Sequence, residues 1–256
     1  MKKPILCFDV DGTLRDNVNH QVSASTKKAL QLLKKNGYKL LITSGRGVDS
    51  LRRTGLMDME EWDGFVCNNG QTVLNKNQDI LYQSFFQDQT VKDTLKVAKE
   101  LGYAVVLKSD PRIITQESDE YVLESQRFFK SVIPEIGTYH GQDVSAMIVY
   151  GPKHYDYAPF FKIKGLKVLP GESTYADLTI EGVTKATGIQ KLMSLYDIDE
   201  YIAFGDSLND MDMFKEASLS IAMGQGNEQL KAIASYVTSS IDEDGIYQAC
   251  VHFHLI

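Results

Sequence analysis

Ile5-Leu6-Cys7-Phe8-Asp9-Val10-Asp11-Gly12-Thr13 is the stretch on which the reading of this 256-residue chain turns. Ile5–Phe8 is an unbroken apolar run, the pattern of a strand buried on both faces of a parallel sheet. Two carboxylates, Asp9 and Asp11, follow at its carboxyl end, where open α/β sheets place their ligands. Gly12 lets the backbone turn away sharply, with the Thr13 hydroxyl next to it. A motif that served the fold alone would not crowd two acids at the mouth of a hydrophobic strand. The acids therefore point to chemistry, with a cation between them and an anionic substrate.

Working outward, strand and helix alternate. A helix is expected over Ser25–Lys35, with Leu30, Leu32 and Leu33 among lysines and Gly37 just past its end. The strand Tyr38–Ile42 runs into Thr43-Ser44-Gly45-Arg46, a helix follows over Val48–Thr54, and the strand Gly64–Cys67 ends in Asn68-Asn69-Gly70. Gln71–Leu74 and Ile80–Phe86 read as a hairpin around Asn75-Lys76-Asn77-Gln78. The middle differs: helices over Thr90–Leu101 and Asp119–Ser131 mix with short strands at Ala104–Leu107, Ile113–Gln116, Ser145–Tyr150, Leu166–Leu169 and Asp177–Ile180. After Gly182 the first rhythm returns, with a helix over Thr184–Tyr196 and the strand Tyr201–Phe204, which ends in Gly205-Asp206. A helix over Met211–Glu216 and strands at Ser220–Ala222 and Tyr236–Val237 follow. The expected fold is α/β: a Rossmann-like parallel-sheet core over residues 1–84 and 183–256, interrupted by an α+β cap over 85–182.

A hydrophobic fraction of 43% and a charged fraction of 24% are ordinary for a globular chain, and the length suffices for one large domain or two smaller ones. The formal charge of -7 argues against nucleic acid or an anionic membrane as the main partner. No apolar stretch approaches the roughly 20 residues that span a bilayer. Met1-Lys2-Lys3-Pro4 and the short strand after it lack the apolar core of a signal peptide. Cys7, Cys67 and Cys250 show no CxxC spacing, and the first two sit in strand-like runs as buried thiols would. A cytoplasmic protein without an obligate protein partner is expected.

Four polar clusters stand at or near the ends of core elements: Asp9/Asp11; Ser44-Gly45 before a helix; Lys185 at the start of another; and Gly205-Asp206-Ser207-Leu208-Asn209-Asp210. In a parallel sheet these mouths converge on one crevice. Ser44 and helix N-terminal amides suit phosphate oxygens, and Lys185 suits a phosphoryl group. The acids would repel one another without a divalent cation, and an all-oxygen set with no His/Cys cluster selects Mg2+ over zinc. That combination suits phosphoryl transfer.

On these motifs the chain resembles a haloacid-dehalogenase-superfamily phosphatase of the Cof-like subgroup (type IIB, with a large α/β cap). Asp9-Val10-Asp11-Gly12-Thr13-Leu14 matches that family's first motif, Ile42-Thr43-Ser44-Gly45-Arg46 its second, Lys185 its third, and Gly205–Met211 its fourth. Asn69-Gly70 and Ala222-Met223-Gly224 resemble subgroup signatures, and Ser44 stands where the family often has Thr, which keeps the hydroxyl. The resemblance implies that Asp9 attacks phosphorus and that Asp11 protonates the leaving oxygen and then activates water. It implies Mg2+ held by Asp9, the Asp11 carbonyl and Asp206, with Asp210 in support. Ser44, Gly45, Lys185 and Asn209 would hold the phosphoryl oxygens, while Arg46, Asn69, Glu172 and Tyr175 are candidate substrate contacts. The expected reaction is hydrolysis of a small phosphorylated metabolite, a sugar phosphate first.

Each residue also has a plainer reading. Asp-x-Asp-Gly is common in turns, and a calcium loop is disfavoured because Gly12 falls at its fourth position rather than its sixth. Ser44 alone would read as a helix N-cap, and Asp206, Asn209 and Asp210 as capping residues. Asn69 could brace its loop, Asp16 and Asn17 read as solvated loop residues, and Tyr155–Phe161 as cap packing. His252 and His254 read as strand or tail rather than a metal site. Alternative functions are a phosphomutase of the same fold and a sugar-phosphate sensor without turnover. A dehalogenase would need no acid at Asp11, and a dinucleotide binder would need a GxGxxG after the first strand.

Overall fold

The computed structural model describes residues 2–129 and 131–256. The chain forms two compact units, one from the residues up to Tyr82 with Thr184–Ile256, the other from Gln83–Val183.

The first unit is built on an eight-stranded sheet in the order Tyr236–Val237, Leu219–Ala222, Tyr201–Gly205, Ile5–Phe8, Lys39–Thr43, Gly64–Cys67, Thr72–Asn75, Ile80–Gln83. Ile5–Phe8 lies at its centre, parallel to both neighbours, with Phe8 in register with Phe204 and Ile42. Gly64–Cys67 continues the parallel run, and Thr72–Asn75 turns it antiparallel. The central strand is fully buried because its two faces feed two cores. Leu6 and Phe8 join one cluster with Ala29, Leu30 and Leu33 of the helix Ala24–Lys35. Ile5 and Cys7 join the other with Ala186, Ile189 and Leu192 of the helix Lys185–Tyr196. This two-sided covering is why the strand reads as a continuous apolar run.

The helix ends follow local rules. Ser23 caps Ala24–Lys35 through the Thr26 amide, and Lys34 and Lys35 stand in the last turn, where cations favour the dipole. Thr184 and Thr187 form a reciprocal capping box that fixes the start of Lys185–Tyr196. Gly70 allows that start: its φ is +103°, and a Cβ there would meet the Thr184 carbonyl oxygen at 2.0 Å.

The second unit carries a six-stranded sheet, in the order Leu166–Pro170, Tyr175–Ile180, Ala146–Tyr150, Val105–Lys108, Ile113–Ile114, Glu135–Ile136. Its pairings are antiparallel except the last. The helices Asp88–Leu101 and Glu120–Phe129 belong to it, and Lys130, inside the longer helix expected from sequence, lies outside the described residues. Tyr157 and Phe160 are buried in its core, as the packing reading of that aromatic stretch requires.

Several expectations are corrected. The second hairpin strand stops at Gln83 rather than Phe86, because Phe86 packs into the second unit's core and donates its N–H to Val144. His252 ends a helix, Gly245–His252, and stacks on Tyr236, so it lies in neither a strand nor a tail, whereas His254 follows the helix. All three cysteines are buried free thiols, and burial pushes those of Cys7 and Cys250 above the ordinary thiol range. Among the described residues no helix is long and apolar enough to cross a membrane.

Candidate active site

Asp9 is the residue immediately past Ile5–Phe8, and its backbone N–H still donates to the Phe204 carbonyl. The neighbouring strand delivers Asp206 the same way, one residue past Gly205. Two parallel strands in register thus bring two acids together although 197 positions separate them in sequence. Asp9 and Asp206 are each only 4% exposed, and Asp210 is fully buried. Oxygen atoms of these three carboxylates all lie within 4.8 Å of one another.

Asp210 reaches the cluster through a tight loop. Its Oδ2 accepts the backbone N–H groups of Asp206 (3.0 Å) and Ser207 (3.1 Å), closing a reciprocal cap over the turn Leu208–Asp210. Its Oδ1 accepts from Lys185 Nζ at 2.6 Å, and the same ammonium donates to Asp9 Oδ1 at 2.6 Å. Lys185 is the first residue of its helix and 1% exposed, so a cation is buried between two acids. Burial works against that charge, but Asp210 and Asp9 outweigh it and hold the ammonium above the ordinary lysine range. Burial pushes Asp9 up to about 7; Lys185 acts in the opposite direction, and Asp210 and Asp11 add to the rise.

Asp11 has different partners. Arg46 forks onto it, with Nε to Oδ2 at 2.6 Å and Nη2 to Oδ1 at 2.8 Å. Arg15 adds Nη1 to Oδ1 at 3.2 Å. Arg46, taken from sequence as a substrate contact, is thus engaged with Asp11. Ser44 is 1% exposed, and its Oγ accepts the Arg46 backbone N–H at 3.0 Å. It is not a helix N-cap: Gly47 caps Val48–Arg53, so Ser44 and Gly45 lie in the turn before the helix. Asn209 donates to Asn69 Oδ1 at 3.2 Å, which ties the loop after Gly64–Cys67 to the loop after Tyr201–Gly205. Asn69 adopts a left-handed φ of 54° in this brace. Glu172 and Tyr175 belong to the second unit: Glu172 is exposed, and Tyr175 opens a strand and packs edge-on against Phe129.

Three residues given no role from sequence complete the surroundings. Thr13 Oγ1 donates to Asp206 Oδ1 at 3.2 Å, and Gln225 Nε2 donates to the Gly12 carbonyl at 2.6 Å. Arg15 is the third. The chain offered a signal for Thr13, which lies inside the first motif, but none for the arginine or the glutamine.

The residues fit a divalent cation. The donors are hard oxygens throughout, the three carboxylates are buried, and the missing Cβ of Gly12 lets the Asp206 carboxylate lie against the backbone there. A Cβ at Gly12 would stand 2.1 Å from Asp206 Oδ2.

The family model of haloacid dehalogenase-like hydrolases matches residues 6–250. A Bacillus subtilis (strain 168) protein with a phosphatase name, YkrA, is 28% identical over 261 residues, covering 100% of both chains. The solved subclass IIB sugar phosphatase BT4131 of the same superfamily superposes with a TM-score of 0.88 at 28% identity, over 99% of this chain and 100% of its own. A structure from a phosphoryl-transfer superfamily, in which a trigonal-bipyramidal intermediate is conserved, gives a TM-score of 0.90 at 27% identity over the full length of both. The chain belongs to the haloacid dehalogenase-like hydrolases and is a Cof-like phosphatase of type IIB.

Proposed function

We propose that this phosphatase is Mg2+-dependent and hydrolyses a small phosphorylated metabolite, a sugar phosphate first, through an aspartyl-phosphate on Asp9. The observation that carries the reading is the buried cluster of Asp9, Asp206 and Asp210, two of which, Asp9 and Asp210, pair with Lys185. Buried acids in such number are costly unless cations offset them, and functional sites are where that cost is accepted. When bound, Mg2+ would be held by the Asp9 and Asp206 carboxylates and the Asp11 carbonyl, and would supply charge against the acids and the phosphoryl group.

The chain's own residues divide the remaining work. Lys185 holds one oxygen of Asp9 and so aims the other. Asp9 attacks phosphorus, and the ester oxygen leaves with the bonding pair while Asp11 gives it a proton. Asp11 then takes a proton from the water that attacks the aspartyl-phosphate, returning the pair to Asp9. Lys185, Asn209, Ser44 and the Gly45 amide are assigned to the phosphoryl oxygens. Asp210 supports from behind, because its oxygens already hold Lys185 and the loop.

Similarity to a sugar phosphatase supports the substrate class. Choice among sugar phosphates is assigned to the inserted unit, with Glu172 and Tyr175 as first candidates. The same proposal includes a cytoplasmic setting and no nucleic-acid or membrane partner, in keeping with the net charge of -7. A phosphomutase would return the phosphoryl group to a sugar, whereas release of free phosphate without an activating bisphosphate marks the phosphatase. A sensor would gain nothing from both Asp9 and Asp11.

The test is phosphate release from p-nitrophenyl phosphate and a panel of hexose and pentose phosphates, with Mg2+ and with EDTA. Asp9→Asn and Asp11→Asn should each abolish turnover while the melting curve stays cooperative. Near-normal turnover in either variant, or activity that survives thorough chelation, would sink the assignment.

A further inference from the structure

The sequence places Asp11 and Arg15 four positions apart in a tight loop, where Gly12 N–H donates to the Arg15 carbonyl at 2.8 Å and Arg15 N–H to the Val10 carbonyl at 2.8 Å. That loop puts the Arg15 side chain beside Asp11, where it shares Oδ1 with the fork from Arg46. A carboxylate offers roughly four acceptor positions. Among the described residues Oδ1 takes one hydrogen bond from each arginine and Oδ2 takes one, from the Arg46 Nε, so Oδ2 is the less engaged of the two oxygens.

The clamp is itself anchored. Arg46 Nη1 donates to Ser50 Oγ at 2.9 Å, and Arg15 Nε donates to the His20 carbonyl at 3.1 Å. Their side chains are 9% and 8% exposed, while Asp11 keeps 20%. Burial first, and then the charge of Arg46, push the Arg15 guanidinium below its ordinary range, with Asp11 acting against both. A structural ion pair needs one guanidinium per carboxylate. Two buried guanidiniums on one acid repel each other, and that cost is consistent with holding the acid in a single orientation.

We propose that Arg46 and Arg15 are positioning residues that orient Asp11 so that Oδ2 alone moves the proton in both half-reactions. This rests on the phosphatase reading above. In the first half-reaction the proton on Oδ2 passes to the ester oxygen as the phosphorus–oxygen bond breaks and the Asp9–phosphorus bond forms. In the second, the proton of the attacking water returns to Oδ2, the Asp9–phosphorus bond breaks with its pair going to Asp9, and inorganic phosphate leaves.

Leaving-group dependence separates positioning from the alternatives. p-Nitrophenolate departs without a proton, so Arg46→Gln should still phosphorylate Asp9 with that ester but hydrolyse the intermediate slowly. Rapid-quench and stopped-flow measurement should show a burst of about one equivalent of nitrophenolate, then turnover reduced about 10- to 100-fold, within the range of general acid–base effects. With phenethyl phosphate, a poor leaving group, the first turnover itself should slow by a similar factor with no burst. With p-nitrophenyl phosphate KM should fall in step with kcat, because kcat/KM reports only the phosphorylation step, whereas with phenethyl phosphate KM should move less than about threefold. Arg15→Gln should give the same pattern more weakly, and Arg46→Lys should not restore turnover, because one ammonium cannot grip both oxygens. A raised KM with no burst would instead make Arg46 a phosphate ligand, and an equal slowing of the first turnover on both esters, with no burst on either, would make it structural. Unchanged turnover in Arg46→Gln would also overturn the proposal. If the wild type releases phosphate from neither ester, the phosphatase reading falls, and this proposal with it.

Discussion

Gly12→Ala adds one methyl group where the site has no space, and its cost runs from the backbone to the metal. Gly12 sits at φ +86°, and an added Cβ would stand 2.1 Å from Asp206 Oδ2 and 2.6 Å from its Cγ. Real Cβ contacts essentially never fall below 3.0 Å, so the carboxylate must retreat by about 0.9 Å. Asp206 is 4% exposed and tied to Thr13 Oγ1 at 3.2 Å, so a retreat on that scale strains or breaks the tie. The fold should survive, because a left-handed alanine costs about 1–2 kcal/mol against a typical stability of about 5–15. For a chain of this size that lowers Tm by roughly 2–8 °C. Catalysis should suffer more, since misplacing a catalytic group by about 1 Å costs about 100-fold. The assay is turnover of p-nitrophenyl phosphate against Mg2+ concentration, beside a melting curve. We expect kcat down about 100-fold and half-saturation at higher Mg2+. Wild-type half-saturation with turnover within about threefold would refute the assignment of Asp206 to the metal. A Tm loss beyond about 15 °C would show that the methyl disrupts the fold and not the carboxylate alone.

Two further outcomes follow from the buried charges. Lys185→Met removes the ammonium from between Asp9 and Asp210 and should cost about 3–5 kcal/mol in denaturant unfolding, as expected when one partner of a buried pair is lost. Adding Asp210→Asn should recover part of that loss, and a neutral single variant would contradict the pairing. In metal-free protein the folded Asp9 carboxyl titrates at about 7, while the unfolded chain releases its proton near pH 4. The folded state binds more protons in that window, so this group's contribution to stability is present at low pH and is lost as pH rises from about 4 to about 7. Mg2+ binding requires the ionised acid, so the Tm gained from Mg2+ should grow across the same window and level off above it. A Mg2+ shift that stays flat with pH would count against Asp9 as a ligand.

What the sequence made legible is what short-range chemistry dictates. A strand covered on both faces must be apolar throughout, so Ile5–Phe8, Gly64–Cys67 and Tyr201–Gly205 announce themselves, and the polar residues after them mark the sheet's carboxyl edge. What stayed hidden depends on chain segments returning from far away. Gln225 reaches Gly12 only because the loop after Leu219–Ala222 folds back 213 positions, and no local pattern encodes that bond. The helix Glu228–Ile233 buries Leu230 alone, too little periodicity to stand out. Ser44 illustrates a subtler limit. Its hydroxyl does cap a backbone N–H, but in a turn before the helix, because Gly47 and not Ser44 takes the extended conformation that starts Val48–Arg53.

The charges give two acids two positions apart the different surroundings that the proposed division of work requires. Four carboxylates, Asp9, Asp11, Asp206 and Asp210, meet three cations, Lys185, Arg15 and Arg46. The cations are not spread evenly: Lys185 is shared by Asp9 and Asp210, while both arginines sit on Asp11. Asp11 therefore lies in a locally positive environment, and the surplus negative charge falls on the side of Asp9 and Asp206. A divalent cation on that side turns the formal balance from one negative to one positive, which favours arrival of a phosphoryl dianion. Burial acts in the same direction, since Asp9 in isolation is pushed toward its neutral form, and added positive charge would hold it in the ionised form that the proposed nucleophile needs. The arginines would thus keep Asp11 from competing for a divalent cation through its side chain, and that cation would keep Asp9 ionised. Removing either partner should collapse the distinction between nucleophile and proton carrier that the Asp9-Val10-Asp11 spacing alone does not supply.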